Sequence, residues 1–154
     1  MHKKSGFTLI ELVVVILVLG IIAVIAAPRF LNLQTDARIS TLQGVKGAIN
    51  SANQKVYGKA VIKGEETTQE WRFPEFDAGK VQLRYGYIAA TGDALKFFVT
   101  LDNEVGIQKK DNVDEARVIR LFIADYGEKN CYLDYQEALS NGEQPVITEE
   151  YSDC

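Results

Sequence analysis

At 154 residues, 47% of them hydrophobic and 25% charged, the chain is long enough for one domain with a core of its own. Its formal charge of −4 forms no basic patch, which argues against a nucleic-acid partner. The histidine His2 and the cysteines Cys131 and Cys154 leave most metal sites and every histidine-based catalytic triad short of parts, so neither a metal nor catalysis is expected.

The average hides two unlike segments. Leu12 to Ala27 holds no charged residue, whereas charges recur every few positions from Arg29 onward. Phe7 to Ala27 would span roughly 31 Å as a helix, close to a hydrocarbon core of about 30 Å. Lys3 and Lys4 precede the run and Arg29 follows it, so the positive-inside bias places the short amino-terminal arm in the cytoplasm and the remainder outside. "AVIAAP" superficially offers a signal-peptidase site, but Pro28 directly after Ala27 argues against it. The other candidate cut lies before the apolar run, between Gly6 and Phe7, because Gly6 has no side chain to obstruct a protease.

Within the run stands one carboxylate, Glu11. A charge deep in a bilayer costs on the order of 2.5–3.5 kcal/mol on insertion scales, so such a residue is a functional candidate unless it sits at the interface and snorkels.

The arrangement "KKSG", then "FTLIEL", then a long apolar helix resembles the class III leader of type IV prepilins and of the related type II secretion pseudopilins. The resemblance implies that a prepilin peptidase cuts after Gly6 and methylates the new amino terminus on Phe7. That cut would create a cationic amine, which a neighbouring subunit can set against Glu11 when helices pack side by side.

Beyond Pro28, Ile39, Leu42, Val45, Ile49, Ala52 and Val56 recur at three- and four-residue steps, one face of a helix. Arg38, Gln43, Lys46, Asn50 and Asn53 fall on other faces, toward solvent or neighbouring subunits. A single helix from Phe7 to about Gly58 would measure roughly 78 Å, with Gly58 or Gly64 as its stop. Pro28 removes a donor and crowds the carbonyl of Val24, so a kink or local opening is expected there, with Gly20 as a second weak point. The family resemblance implies loss of helicity between Gly20 and Pro28 inside a filament; an ordinary proline kink is the alternative.

Downstream, "QEWRF" and "VQLRY" alternate as strands, and "ARVIRLFIA", "NCYLDY" and "QPVITEEY" form a run of three more. "GDALKFFVTLDN" suits a strand or a short helix capped by Asp93; the helix is the preferred reading. "DNEVGIQKKDNVDE" lacks a calcium-loop pattern and reads as a solvated turn. The aromatic residues, Trp71 included, serve core and subunit contacts rather than a cofactor, and none is expected. The fold class is α+β: a long amino-terminal α-helix, membrane-spanning in its first half, packed on an antiparallel sheet.

A finer resemblance is to pilins of the mannose-sensitive haemagglutinin (MSHA) type, carried by "APRFLNLQTDARISTLQGVKGAINSANQKVYGKA" and "YGYIAATGDAL", although Ile88 stands where such pilins usually carry proline. "NCYLDYQEA" and the closing "SDC" resemble their carboxy-terminal disulfide region, implying a Cys131–Cys154 bond; free thiols and a metal site are the alternatives. If the last hairpin turns at Asn141 and Gly142, paired residue numbers sum to about 283, and the chain end must bend inward or the turn shift to bring the cysteines together.

The chain therefore divides into a cleaved leader 1–6, a long helix 7–58 (7–27 transmembrane and filament core, 28–58 amphipathic) and a sheet-bearing head 59–154. The resemblance implies a homo-oligomeric pilus subunit, held in the inner membrane of a Gram-negative bacterium as a prepilin and then assembled by the inner-membrane machinery into an extracellular adhesive filament. A type II secretion pseudopilin and a membrane-anchored periplasmic binding domain or enzyme are the competing readings.

Overall fold

The computed structural model describes residues 7–72, 81–112, 116–126 and 129–154, with the side chains of Phe30, Leu31, Asn32 and Asp125 also outside the description. Two compact units divide the chain, 1–37 and 38–154.

Helix α1, Leu9–Lys63, begins in the first unit and ends in the second. It passes through Gly20 and Pro28 without a break in helical structure. A proline removes one backbone bond and the helix continues on its neighbours'. The helix also runs past Gly58 and stops at Gly64, whose φ is +72°. There the amide of Gly64 bonds the Val61 carbonyl at 3.1 Å and that of Glu65 bonds the Ala60 carbonyl at 3.0 Å. This is the Schellman arrangement, which requires a left-handed residue just past the helix and so selects glycine.

In the second unit the apolar stripe of α1 is the floor of the core. Leu42, Val45, Ile49, Ala52 and Val56 are buried with Leu83, Ile88, Leu95, Ile119, Leu121, Leu133 and Tyr135, and Trp71 packs against the same cluster. The strands form two sheets rather than one. Strands β1 (Trp71–Arg72), β2 (Gln82–Arg84) and β3 (Tyr87–Ile88) make a small antiparallel sheet. Strands β4 (Val105–Lys109), β5 (Val118–Ile123), β6 (Tyr132–Gln136) and β7 (Val146–Glu150) make a four-stranded antiparallel meander.

Strand β4 lies in the acidic segment read as a turn. Only Val105 and Ile107 alternate there, and Gly106 interrupts the pattern, a weak period-2 signal. Gly106 is opposite Phe122 on β5, and a Cβ on it would come within 2.5 Å of the Phe122 ring. Glycine is thus the residue that lets the aromatic ring lie over the neighbouring strand.

Between the sheets runs α2, Gly92–Phe98, burying Ala94 and Leu95. Its cap is Thr91, not Asp93: the Thr91 hydroxyl accepts from the Ala94 amide at 3.2 Å, while Asp93 sits inside the first turn. Both residue types suit a cap; the extended backbone of Thr91 decides which one occupies it.

Two buried polar clusters join these layers. The Glu137 carboxylate, fully buried, accepts from Arg84 of β2 at 3.1 Å, from the Ala90 amide at 3.0 Å and from the Arg117 guanidinium at 2.9 Å. Asn53 of α1 accepts from the Ile88 amide at 3.0 Å and donates to the Tyr135 hydroxyl at 3.3 Å, and that hydroxyl donates to the Ile88 carbonyl at 2.5 Å. Asn53 is therefore a buried clamp between helix, small sheet and meander, not the solvent-facing residue its neighbours suggest.

Candidate assembly site

The amino-terminal unit presents apolar surface with nothing of its own to cover it. Every residue from Phe7 to Ile25 is exposed, Phe7 by 83%. The segment is long and apolar enough to cross a membrane. Contiguous apolar exposure on this scale marks a surface that lipid or other chains must cover.

At its start, Thr8 and Glu11 bond reciprocally. The Glu11 amide donates to the Thr8 hydroxyl oxygen at 3.4 Å, while the Thr8 amide and hydroxyl both lie 3.5 Å from a Glu11 carboxylate oxygen. This is a capping box, and the T-x-x-E spacing of "FTLIEL" is its sequence signature. These bonds are longer than the ordinary range of about 2.7–3.2 Å, so the local partner only weakly satisfies the carboxylate. Glu11 is exposed and free to take a stronger donor from outside the chain.

Of the other expected site residues, Gly6 lies outside the described residues along with His2, Lys3 and Lys4. Gly20 and Pro28 are within α1. Cys131 and Cys154 are bonded to each other, with Cα atoms 4.8 Å apart. The β6–β7 register pairs residues whose numbers sum to 282, and past Glu150 the chain end folds inward, with the Asp153 amide donating to the Asn130 carbonyl at 3.1 Å. Both the one-residue shift and the inward bend occur. Among the described residues no group of three or more His, Cys, Asp or Glu is placed to hold a metal.

Of the polar residues expected on the outer faces of α1, Arg38 and Lys46 are engaged within the head as well as Asn53. Arg38 donates to the Cys154 carbonyl at 2.7 Å and lies 4.0 Å from the centre of the Tyr126 ring, and Lys46 pairs with Glu149 of β7. The glycines of the same helix behave differently: a Cβ added at Gly44, Gly47 or Gly58 would meet nothing within 4 Å.

Residues 1–27 match the family model for the prokaryotic N-terminal methylation motif. The chain is 30% identical to the type IV major fimbrial protein of Dichelobacter nodosus over 115 residues, 68% of this chain and 69% of that one. It is 42% identical to the type IV narrow pilus major component of Thermus thermophilus over 50 residues, 32% of this chain and 43% of the relative. With the type II secretion system core protein G of Pseudomonas aeruginosa it shares 38% identity over 51 residues, 33% of this chain and 36% of the relative. The chain spans under half the length of the Thermus protein and of two further fimbrial relatives, 43–47%. No solved structure matches it.

A long exposed apolar helix, a methylation motif at its start and an α+β head define a fimbrial subunit rather than an enzyme. The chain belongs to the type IV pilin family.

Proposed function

We propose that the chain is a structural subunit of a type IV pilus of the MSHA type, built for surface attachment. It inserts in the inner membrane of a Gram-negative bacterium as a prepilin with its amino terminus cytoplasmic. A prepilin peptidase cuts between Gly6 and Phe7 and methylates the Phe7 amine. The inner-membrane assembly machinery then stacks the apolar helices into an extracellular filament.

The observation that carries this reading is the bare apolar run from Phe7 to Ile25 with one under-satisfied carboxylate in it. In a filament, neighbouring helices would cover the run and a neighbour's Phe7 amine would neutralise Glu11. Gly44, Gly47 and Gly58 support it: each costs helix stability relative to alanine, and no contact among the described residues requires one. Close approach of a neighbouring helix would. In that state the segment between Gly20 and Pro28 would stretch by losing helical bonds, since Pro28 lacks a donor. The MSHA assignment rests on "PRFLNLQ", "YGYIAATGDAL" and the terminal cysteine pair.

The likeness to a type II secretion core protein keeps a second reading open, a pseudopilin in a short periplasmic piston. Electron microscopy of sheared surface fibres, with the subunit identified by mass, separates the two. Long fibres whose subunit begins at methylated Phe7 and has 148 residues, after a six-residue loss that takes the formal side-chain charge from −4 to −6, are the expected result. Absence of the chain from surface fibres would remove the pilus reading.

A further inference from the structure

In the connection from β6 to β7 glycine follows asparagine, at Asn141 and Gly142, a pairing that occurs once in the sequence. Ser140 to Glu143 form a turn closed by the Glu143 amide on the Ser140 carbonyl at 3.2 Å, with Gly142 at a φ of +87°. That is a type II turn, whose third residue must take a positive φ and whose third amide makes no bond within the turn. All four residues are exposed.

The side-chain amide carbon of an asparagine is an electrophile within reach of the next residue's backbone nitrogen, and attack there closes a five-membered ring. Two things ordinarily prevent it. A helix or strand ties the nitrogen into a hydrogen bond, and a Cβ on the next residue crowds the approach. Neither protects this turn: the Gly142 amide and the Asn141 side chain have no partner among the described residues, and nothing lies within 4 Å of where a Cβ on Gly142 would stand. Two groups so tethered react at high effective concentration.

Other asparagines of the head are guarded. Asn50 and Asn53 precede Ser51 and Gln54, whose amides lie within α1, and the Asn53 side chain is committed to Ile88 and Tyr135. Asn130 donates to Asp153 at 2.8 Å, and the Cys131 amide that follows it donates to the Lys129 carbonyl at 2.8 Å.

We propose that Asn141 is a site of self-modification in the folded head. The Gly142 nitrogen gives up its proton and bonds to the Asn141 Cγ; the Cγ–Nδ2 bond breaks, and Nδ2 leaves as ammonia with a proton taken back from solvent. Water then opens the cyclic imide. Addition at the main-chain carbonyl gives isoaspartate, with the backbone routed through Cβ, and addition at Cγ gives aspartate. The net change consumes one water and releases one ammonia, with no oxidant or reductant. Either product is a carboxylate at neutral pH, so the turn gains a negative charge beside Glu143. Isoaspartate also lengthens the backbone by one atom and removes the bond that closes the turn. In a filament outside the cell the converted fraction would grow with the age of the subunit; that consequence rests on the function proposed above, and the reaction does not.

The test holds the full-length chain in detergent micelles near neutral pH for days, then maps peptides by mass spectrometry with fragmentation that separates isoaspartate from aspartate. Asn141 should convert several-fold faster than Asn53 or Asn130, to isoaspartate as well as aspartate, and the folded chain should convert at a rate comparable to that of the chain in urea. Asn141→Gln, in an exposed turn where folding is unaffected, should abolish the acidic form that ion exchange resolves. Conversion no faster than that of Asn130, conversion confined to urea, aspartate without isoaspartate, or persistence of the acidic form in Asn141→Gln would each overturn the proposal. Sheared fibres from aged cultures should carry a larger converted fraction than fibres from fresh ones, and equal fractions would overturn the link to age. Absence of the chain from surface fibres, with conversion intact in detergent, would instead count against the pilus reading.

Discussion

The guanidinium of Arg38, on the α1 helix, donates to the carbonyl oxygen of Cys154 at 2.7 Å and lies over the Tyr126 ring. It joins the helix to the disulfide-closed carboxy-terminal region, so two devices hold one piece of chain. The disulfide, with a sequence separation of 23, should stabilise the head by roughly 3.5 kcal/mol on a chain-entropy argument. Replacing both cysteines by alanine should lower the unfolding free energy by about that amount. Arg38→Ala should cost less, about 1.5–3 kcal/mol for a hydrogen bond from a charged donor. Urea unfolding of the full-length chain in detergent measures both, and unchanged midpoints would show that the carboxy-terminal region does not contribute to head stability.

Glu137 binds the two sheets through Arg84 and Arg117, and all three charges are wholly or largely removed from water. Removing one partner of such a buried cluster leaves the others uncompensated, which costs about 3–5 kcal/mol. Glu137→Gln should therefore destabilise the head by that order, and Arg84→Met combined with Glu137→Gln by less than the sum of the single changes. A double-mutant cycle on unfolding free energies checks this, and additivity would mean the pair is not coupled.

The architecture was legible where periodicity is strong. The α1 stripe repeats its apolar positions at three- and four-residue steps, β6 alternates buried Leu133 and Tyr135 with half-exposed neighbours, β5 and β7 show as short runs that begin with apolar residues, and the family resemblance implied the disulfide. What sequence reading missed depends on partners far along the chain. Asn53 looks like a solvent-facing residue of an amphipathic helix, but its partners Ile88 and Tyr135 lie 35 and 82 residues away. Glu137 bonds Arg84 from 53 residues away, and no local pattern announces that. Strand β4 is hidden by Gly106, whose role appears only once Phe122 is placed beside it. At the amino terminus the reverse holds: the motif is local, and even the unread capping box of Thr8 and Glu11 was there in the spacing.

Burial raises the Tyr135 phenol well above its ordinary value of about 10, against a lesser lowering by its bond to Asn53. The folded state then holds the phenolic proton more tightly than the unfolded state. Stability should be fully present below about pH 10 and fall as the pH rises above it toward the folded-state value. Tyr135→Phe should remove this part of the alkaline loss while lowering stability at neutral pH by about 1–3 kcal/mol, because the Ile88 carbonyl and Asn53 lose a buried partner. Unfolding free energies between pH 8 and pH 11 provide the comparison. An identical alkaline decline in the two proteins would contradict the assignment.

Gly44 and Gly47 should separate the stability of the chain from its assembly. Each lies inside α1 with open space where a Cβ would go. Alanine at either position should stabilise the isolated chain by about 0.8–1 kcal/mol through helix propensity. If neighbouring helices approach closely there, the same substitutions should reduce filament yield. Thermal unfolding and recovery of sheared fibres measure the two effects. A rise in stability with full filament yield would show that these glycines do not serve packing between subunits.

Glu11 carries the sharpest prediction, because insertion and assembly make opposite demands on it. In a bilayer the carboxylate is a cost, of the order of 2.5–3.5 kcal/mol near the centre and less toward the edge, and its capping bonds to Thr8 are too long to offset much of that. Glu11→Ala should leave the full-length chain stable and inserted at wild-type levels or above. In the filament, where the carboxylate would face the Phe7 amine of a neighbour, the same change should block or sharply slow assembly. Glu11→Gln isolates the charge, since it retains much of the capping geometry and loses the ion pair; it should assemble as poorly as Glu11→Ala. Thr8→Ala isolates the cap, since it removes the hydroxyl and keeps the carboxylate; it should assemble nearly as well as wild type. Membrane fractionation and fibre yield, scored on all three variants, distinguish the roles. Normal assembly by Glu11→Gln together with failure of Thr8→Ala would show that the residue acts as a helix cap and that no charge pair forms between subunits.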